Sequence, residues 1–136
     1  MTIGDLDQAL GLSIEEGWNQ TEKDWRLLLE NTSNVCIVAE KDGRIIGTAT
    51  ALNHSGKVAW IGMVLVDKPM RRLGAGKLLM NEIISSLGNI ESIKLDATPA
   101  GQHLYSGLGF IEEYTICRMT SSSLRSIEFS PRRRIQ

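Results

Sequence analysis

VAWIGMVLVDKPMRRLGAGKLLMNEIISSLG, residues 58–88, holds the change of pattern that decides the fold. Residues 58–66 are apolar on both alternating faces, as suits a strand at the centre of a sheet. Past Pro69 comes a basic, glycine-containing turn, Arg71-Arg72-Leu73-Gly74-Ala75-Gly76-Lys77. Leu78, Leu79, Ile83, Ile84 and Leu87 then recur at helical spacing, and Gly88 closes the helix. A strand running through a glycine turn into a helix is a phosphate-binding design. The first helical turn leaves backbone N–H groups unpaired and carries partial positive charge. Glycines let a ligand's oxygens reach that backbone without meeting a Cβ, and Arg71, Arg72 and Lys77 add positive charge.

Upstream of this segment, Thr2 with Asp5 and Thr21 with Asp24 each form an N-terminal capping pattern. The first precedes Leu6, Ala9, Leu10 and Ile14 at helical spacing, with Gly17 as a stop. The second precedes Trp25, Leu28 and Leu29, whose spacing marks them as core. Residues 35–39 and 45–52 read as strands separated by an Asp42-Gly43 hairpin turn, and Asn53-His54-Ser55-Gly56 turns the chain into residues 58–66. Downstream, residues 93–96 form a short strand, 102–106 a brief helix and 110–119 a last strand. Strand, helix, strand in the second half implies a right-handed crossover and parallel pairing. The fold class is α/β, a mixed antiparallel and parallel sheet flanked by helices.

The 136 residues suit one domain with a hydrophobic core. Fifteen basic and sixteen acidic residues give a net charge of −1, which offers no general attraction to nucleic acid or to an anionic membrane. Cys36 and Cys117 sit in apolar runs and read as two buried thiols rather than a disulfide, and no cysteine–histidine cluster points to a metal. The acidic N-terminus lacks signal-peptide features, so a cytoplasmic protein is expected. From Thr120 the sequence turns polar and ends in Arg132-Arg133-Arg134; residues 1–119 read as the domain and 120–136 as a polar, basic tail or linker.

Two nucleotide patterns fail on a required residue. A dinucleotide fingerprint needs glycine where Leu79 stands. A P-loop needs Ser or Thr where Leu78 stands, and an earlier glycine where Arg71 stands. What fits is Arg71-x-x-Gly74-x-Gly76, which resembles the pyrophosphate-binding motif of the GNAT superfamily of acyl-CoA-dependent N-acyltransferases. Downstream, Leu104-Tyr105-Ser106-Gly107-Leu108-Gly109-Phe110 resembles the family's second signature. The resemblance covers roughly residues 2–119. The chain departs from the family in two places. A first strand before the first helix is missing, and Thr98 stands where asparagine is frequent. This local variant is similar to bacterial proteins with two such domains in tandem, of which this would be the first. A homodimer or a second GNAT-like domain is the corresponding partner expectation.

The resemblance implies acetyl-CoA (coenzyme A) as cofactor, with Arg71, Arg72, Leu73, Gly74, Ala75, Gly76 and Lys77 holding the pyrophosphate and the backbone of Leu65 and Val66 holding the pantetheine arm. It implies Tyr105 as general acid toward the thiolate; a phenol with pKa near 10 is protonated at neutral pH. A core tyrosine anchoring the short helix is the alternative. The acceptor, a small-molecule or peptide amine, would lie near Trp18, Asn19, Trp60 and Met63. No carboxylate lies within residues 58–66, and Asp24, Glu40, His54 and Asp96 are base candidates of which none is singled out. The missing carboxylate keeps open a second reading, a non-catalytic acyl-CoA-binding or regulatory module.

Overall fold

The computed structural model describes residues 1–123. After a short 3-10 turn at Ile3–Asp5, helix α1 spans Leu6–Glu15 and α2 spans Glu22–Glu30. Both starts are fixed locally. The Asp5 carboxylate accepts from the Thr2 backbone N–H at 2.6 Å, and that of Asp24 accepts from Thr21 at 2.7 Å. Strands β1 (Val35–Lys41), β2 (Arg44–His54) and β3 (Val58–Val66) follow as an antiparallel meander. Its turns place Asp42 and Gly43, then Ser55 and Gly56, at positive φ, the geometry that matches strand twist in tight hairpins. Helix α3 (Ala75–Ser86) crosses over to β4 (Ser92–Leu95), which pairs parallel to β3, and α4 covers Gln102–Gly107. The sheet order is β1-β2-β3-β4, a mixed sheet with β3 central and no strand before α1 among the described residues. No described helix is long and apolar enough to cross a membrane.

Each sheet face carries its own core. On one face Ala49, Ala51, Ala59 and Ile61 pack with Leu79, Met80, Ile83 and Leu87 of α3. On the other, Ile45 and Leu65 pack with Leu6, Ala9, Leu12 and Trp25 of α1 and α2. Trp25 is fully buried, and its indole N–H donates to Ser13 Oγ at 3.5 Å.

At Gly47 the backbone of β3 and a side chain of α3 both press close on β2. A Cβ there would lie 2.9 Å from the Leu65 carbonyl oxygen and 2.9 Å from Leu79 Cδ1. The backbone oxygen cannot yield without moving β3 relative to β2, so Gly47 marks a close approach of strand and helix. Gly47→Ala is expected to cost about 1–3 kcal/mol, the range for overpacking a close-packed site, read as a lowered denaturation midpoint at unchanged slope. An unaltered midpoint would refute the close approach.

Four expectations are corrected. Residues 110–119 form no strand: Ile111, Tyr114, Ile116 and Met119 are largely exposed. Strand formation needs a partner edge, and this segment stands off from β4, tied to it through the Lys94 ammonium and the Glu113 carboxylate at 2.7 Å. Cys117 is therefore exposed rather than buried, although both cysteines are free. Ile14 faces solvent while Leu12 and Ser13 turn inward, because the buried stripe of α1 passes through Leu6, Ala9 and Leu12. Leu78, in the first turn of α3, is exposed as well. The tail expected from position 120 lies outside the described residues beyond Ser123.

Candidate active site

The side-chain alternation of β3 breaks once. Ala59 and Ile61 face α3, and so do Val64 and Val66, whereas Met63 and Leu65 face α1 and α2. Odd positions become even positions, which requires an extra residue. The register shifts at the same place, with Thr48 opposite Leu65 but Thr50 opposite Gly62. This is a β-bulge, and Met63 bears its strain at φ 49°. Two buried threonines of β2 hold it. Thr48 Oγ1 donates to the Met63 carbonyl at 2.7 Å, and Thr50 Oγ1 donates to the Gly62 carbonyl at 3.0 Å.

Just before the bulge the pairing of β3 with β4 ends. Parallel pairing ends at Ile61 opposite Leu95, the last residue of β4, so Gly62 to Val66 have no strand partner on that side among the described residues. The Asp67 N–H donates to the Ile46 carbonyl at 2.8 Å. By the two-residue alternation of a ladder, Leu65 also turns its polar backbone toward β2, while Val64 and Val66 turn theirs to the open side. The Val66 carbonyl accepts from Arg71 Nε at 3.0 Å. Leu65 itself is a core side chain, and Val64, not among the candidate residues read from the sequence, offers open-side backbone instead.

The turn after β3 opens against this gap. Gly74, at φ 88°, is the N-cap of α3; its carbonyl accepts from the Leu78 N–H at 3.0 Å, which leaves the N–H groups of Ala75, Gly76 and Lys77 without helical partners. Arg72 sits at φ 62°, and Leu73 is exposed. Arg71 also pairs with Glu16 at the end of α1. Gly76 faces α4: a Cβ there would lie 3.5 Å from Leu104 Cδ2 and 3.7 Å from Val66 Cγ2, ordinary contact distances. The protein's own packing therefore does not require glycine at position 76.

Tyr105, next to Leu104, is half-buried, and burial pushes its phenol above the usual value of 10. Its ring meets Phe110 edge to face at 6.2 Å and lies on the backbone at Gly101, where a Cβ would come within 2.7 Å of the ring. Gly101 thus fixes the ring position, a role visible only in three dimensions.

On the α1/α2 face a groove of about 490 Å³ brings Asn19 and Met63 together with Gln20, Asp24, Leu27, Leu28 and Leu52. Trp18 packs instead against the α1/α2 core. Trp60 lines a separate groove beside β4, with Lys94, Tyr105 and Tyr114. Among the base candidates, Glu40, His54 and Asp96 are exposed and line no part of the α1/α2 groove. Asp24 does line it, but hydrogen bonds from the Thr21 backbone and hydroxyl hold its carboxyl below the usual carboxylate range, which makes it a poor proton acceptor. No group of three or more His, Cys, Asp or Glu side chains that could hold a metal occurs among the described residues.

The chain is similar to known proteins. The chain is 40% identical over 55 residues to the uncharacterized N-acetyltransferase YitH of Bacillus subtilis, across 40% of this chain and 20% of that protein. It is 30% identical over 103 residues to the uncharacterized N-acetyltransferase ycf52 of Porphyra purpurea, across 71% of this chain and 59% of that one. The chain thus spans between a fifth and three-fifths of the length of these curated relatives. Its fold superimposes on the aminoglycoside N-acetyltransferase AAC(6′)-Iy, solved in complex with CoA, with a TM-score of 0.70 at 20% identity, over 90% of this chain and 97% of that one. Residues 6–110 match the family model described as the acetyltransferase (GNAT) family, and with the bulged strand, its parting from β4 and the glycine-capped helix in place, the chain belongs to that family.

Proposed function

We propose that this chain is an acyl-CoA-dependent N-acetyltransferase that moves an acetyl group from acetyl-CoA to a primary amine by direct attack. The observation that carries the reading is the end of β3–β4 pairing just before a threonine-held bulge, on a strand whose exit turn leads to a helix that presents free N–H groups behind Gly74. CoA bound to the structurally similar AAC(6′)-Iy supports it.

Each part has a role that follows from its position. The N–H groups of Ala75, Gly76 and Lys77, with the positive end of α3, suit a pyrophosphate. Arg71, Arg72, Leu73 and Gly74 shape that turn, and Gly76 keeps its approach clear. Leu65 anchors β3 in the core, and the open backbone of Val64 together with the Val66 N–H bonds the pantetheine amides. The cofactor supplies an acetyl group already activated as a thioester. Backbone N–H groups at the bulge are fixed before reaction, so they can receive charge developing on a carbonyl oxygen without reorganisation. The amine's lone pair forms the new C–N bond as the C–S bond breaks. Tyr105 gives its hydroxyl proton to the departing sulfur, and the proton shed by the new amide nitrogen restores the phenol through water, so the balance closes without a dedicated base.

Calorimetry with acetyl-CoA and a thiol-release assay over an amine panel test this together. Gly76→Ala is the matched control, because its Cβ fits the protein's own packing while obstructing close approach of a ligand oxygen. Its thermal midpoint should match wild type and its acetyl-CoA affinity should fall by about tenfold. An absence of acetyl-CoA binding in folded wild-type protein would overturn the reading. Tight binding without transfer to any amine would favour a non-catalytic, regulatory acyl-CoA module.

A further inference from the structure

The α1/α2 groove has a chemical character of its own, and its reading as the acceptor site rests on the function proposed above. We propose that the acceptor is a primary amine carried on an apolar scaffold without a carboxylate or phosphate group, and that Gln20 and Asp24 select it.

Three features point the same way. The first is the apolar wall. Leu27, Leu28, Leu52 and Met63 line the groove, and Leu27 and Leu52 are 60% and 37% exposed. Exposed leucines gathered in one concavity mark a place where an apolar partner is buried.

The second is an unmet hydrogen bond. Gln20 lines the groove, and its Oε1 is buried with no partner among the described residues. A buried acceptor without a donor carries the full cost of its lost hydration. An incoming amine supplies that donor. A neutral primary amine has two N–H groups and one lone pair, so one N–H can bond Gln20 while the lone pair stays free to attack.

The third is the sign of the charge. Among the described residues, Asp24 is the sole ionised residue lining the groove, and no Lys, Arg or His lines it. Its sequence neighbour Lys23 is exposed and stands outside the lining. Glu16, close by in sequence, is engaged by Arg71. Sites for carboxylates and phosphates present Arg or Lys in bidentate or multiple contact. Here an anionic acceptor would meet a carboxylate with no cation in the described groove lining, the one cation that lowers the Asp24 carboxyl, Lys23, standing outside it, whereas an ammonium is drawn in before losing its proton to water.

The test compares three acceptors on one scaffold: 2-phenylethylamine, phenylalanine and phenylalaninamide, with thiol release followed at fixed acetyl-CoA. The kcat/KM for the amine and the amide is expected to exceed that for phenylalanine by roughly tenfold or more, since like-charge juxtaposition discriminates strongly. Leu52→Lys, which puts a cation into the groove at an already exposed position, should narrow that ratio by raising phenylalanine turnover. Equal turnover of phenylalanine and 2-phenylethylamine overturns the inference. Acetyl-CoA binding with turnover confined to phosphorylated or carboxylated amines also overturns it and leaves the acetyltransferase reading standing. Failure to bind acetyl-CoA at all removes both.

Discussion

With phenylalanine in place of Tyr105, kcat is expected to fall by roughly 10²–10⁴-fold, the usual contribution of a positioned acid, with acetyl-CoA affinity unchanged. The ring would keep its seat. Its edge-to-face contact with Phe110 uses ring carbons that phenylalanine retains, and the approach at Gly101 is closest through ring carbon, with the hydroxyl alongside, so stability should shift little and the loss would report chiefly the hydroxyl. The pH profile adds a sign. Burial raises the phenol above its ordinary value of 10, so the proton is present throughout the neutral and mildly alkaline range and is lost only above pH 10. Wild-type kcat should therefore show no fall from this group below that pH. Unchanged turnover in Tyr105→Phe would return Tyr105 to the role of a core tyrosine bracing α4.

Trp25→Ala is expected to destabilise the domain by about 3–5 kcal/mol, the range for removing a large aromatic from a core. A domain of this kind has only about 5–15 kcal/mol in total. Trp25 is fully buried between α1 and the sheet, among Leu6, Ala9, Leu12, Ile45 and Leu65, and its loss also strips Ser13 of a donor. Chemical denaturation would read the effect as a shifted midpoint. The variant should lose the groove as well, because α2 holds Asp24, Leu27 and Leu28. A loss below 1 kcal/mol would mean that the cavity collapses and that α2 is not pinned by its indole.

What was legible in the sequence was local. Thr2 with Asp5 and Thr21 with Asp24 could be read because a capping box closes within one helical turn, and Asp42-Gly43 because a tight turn restricts its own residues. The glycine turn after β3 was legible for the same reason. The bulge was not. Residues 58–66 are apolar almost throughout, so a shift of parity between Ile61 and Val64 leaves no trace in the hydrophobic pattern. With the parity hidden, Val64 went unnoticed and Leu65 could be named only by resemblance. Residues 110–119 carry strand-forming side chains, but a strand also needs an edge to pair with, and that is settled far away in sequence. The groove gathers Gln20, Leu52 and Met63 from two helices' linker and two strands, a convergence that no short window contains. Gly47 and Gly101 look like ordinary glycines until their neighbours arrive from other segments.

The bulge has a further consequence. A continuous sheet is a partition, and its two faces here carry separate cores. The pairing of β3 with β4 stops just before one strained residue, and the partition is open there. On the proposed assignment the thioester arrives from the α3 side and the amine from the α1/α2 side, each with its own entrance. Neither has to leave before the other can enter, so the kinetics should be those of a ternary complex rather than of a shuttle through an acetylated enzyme.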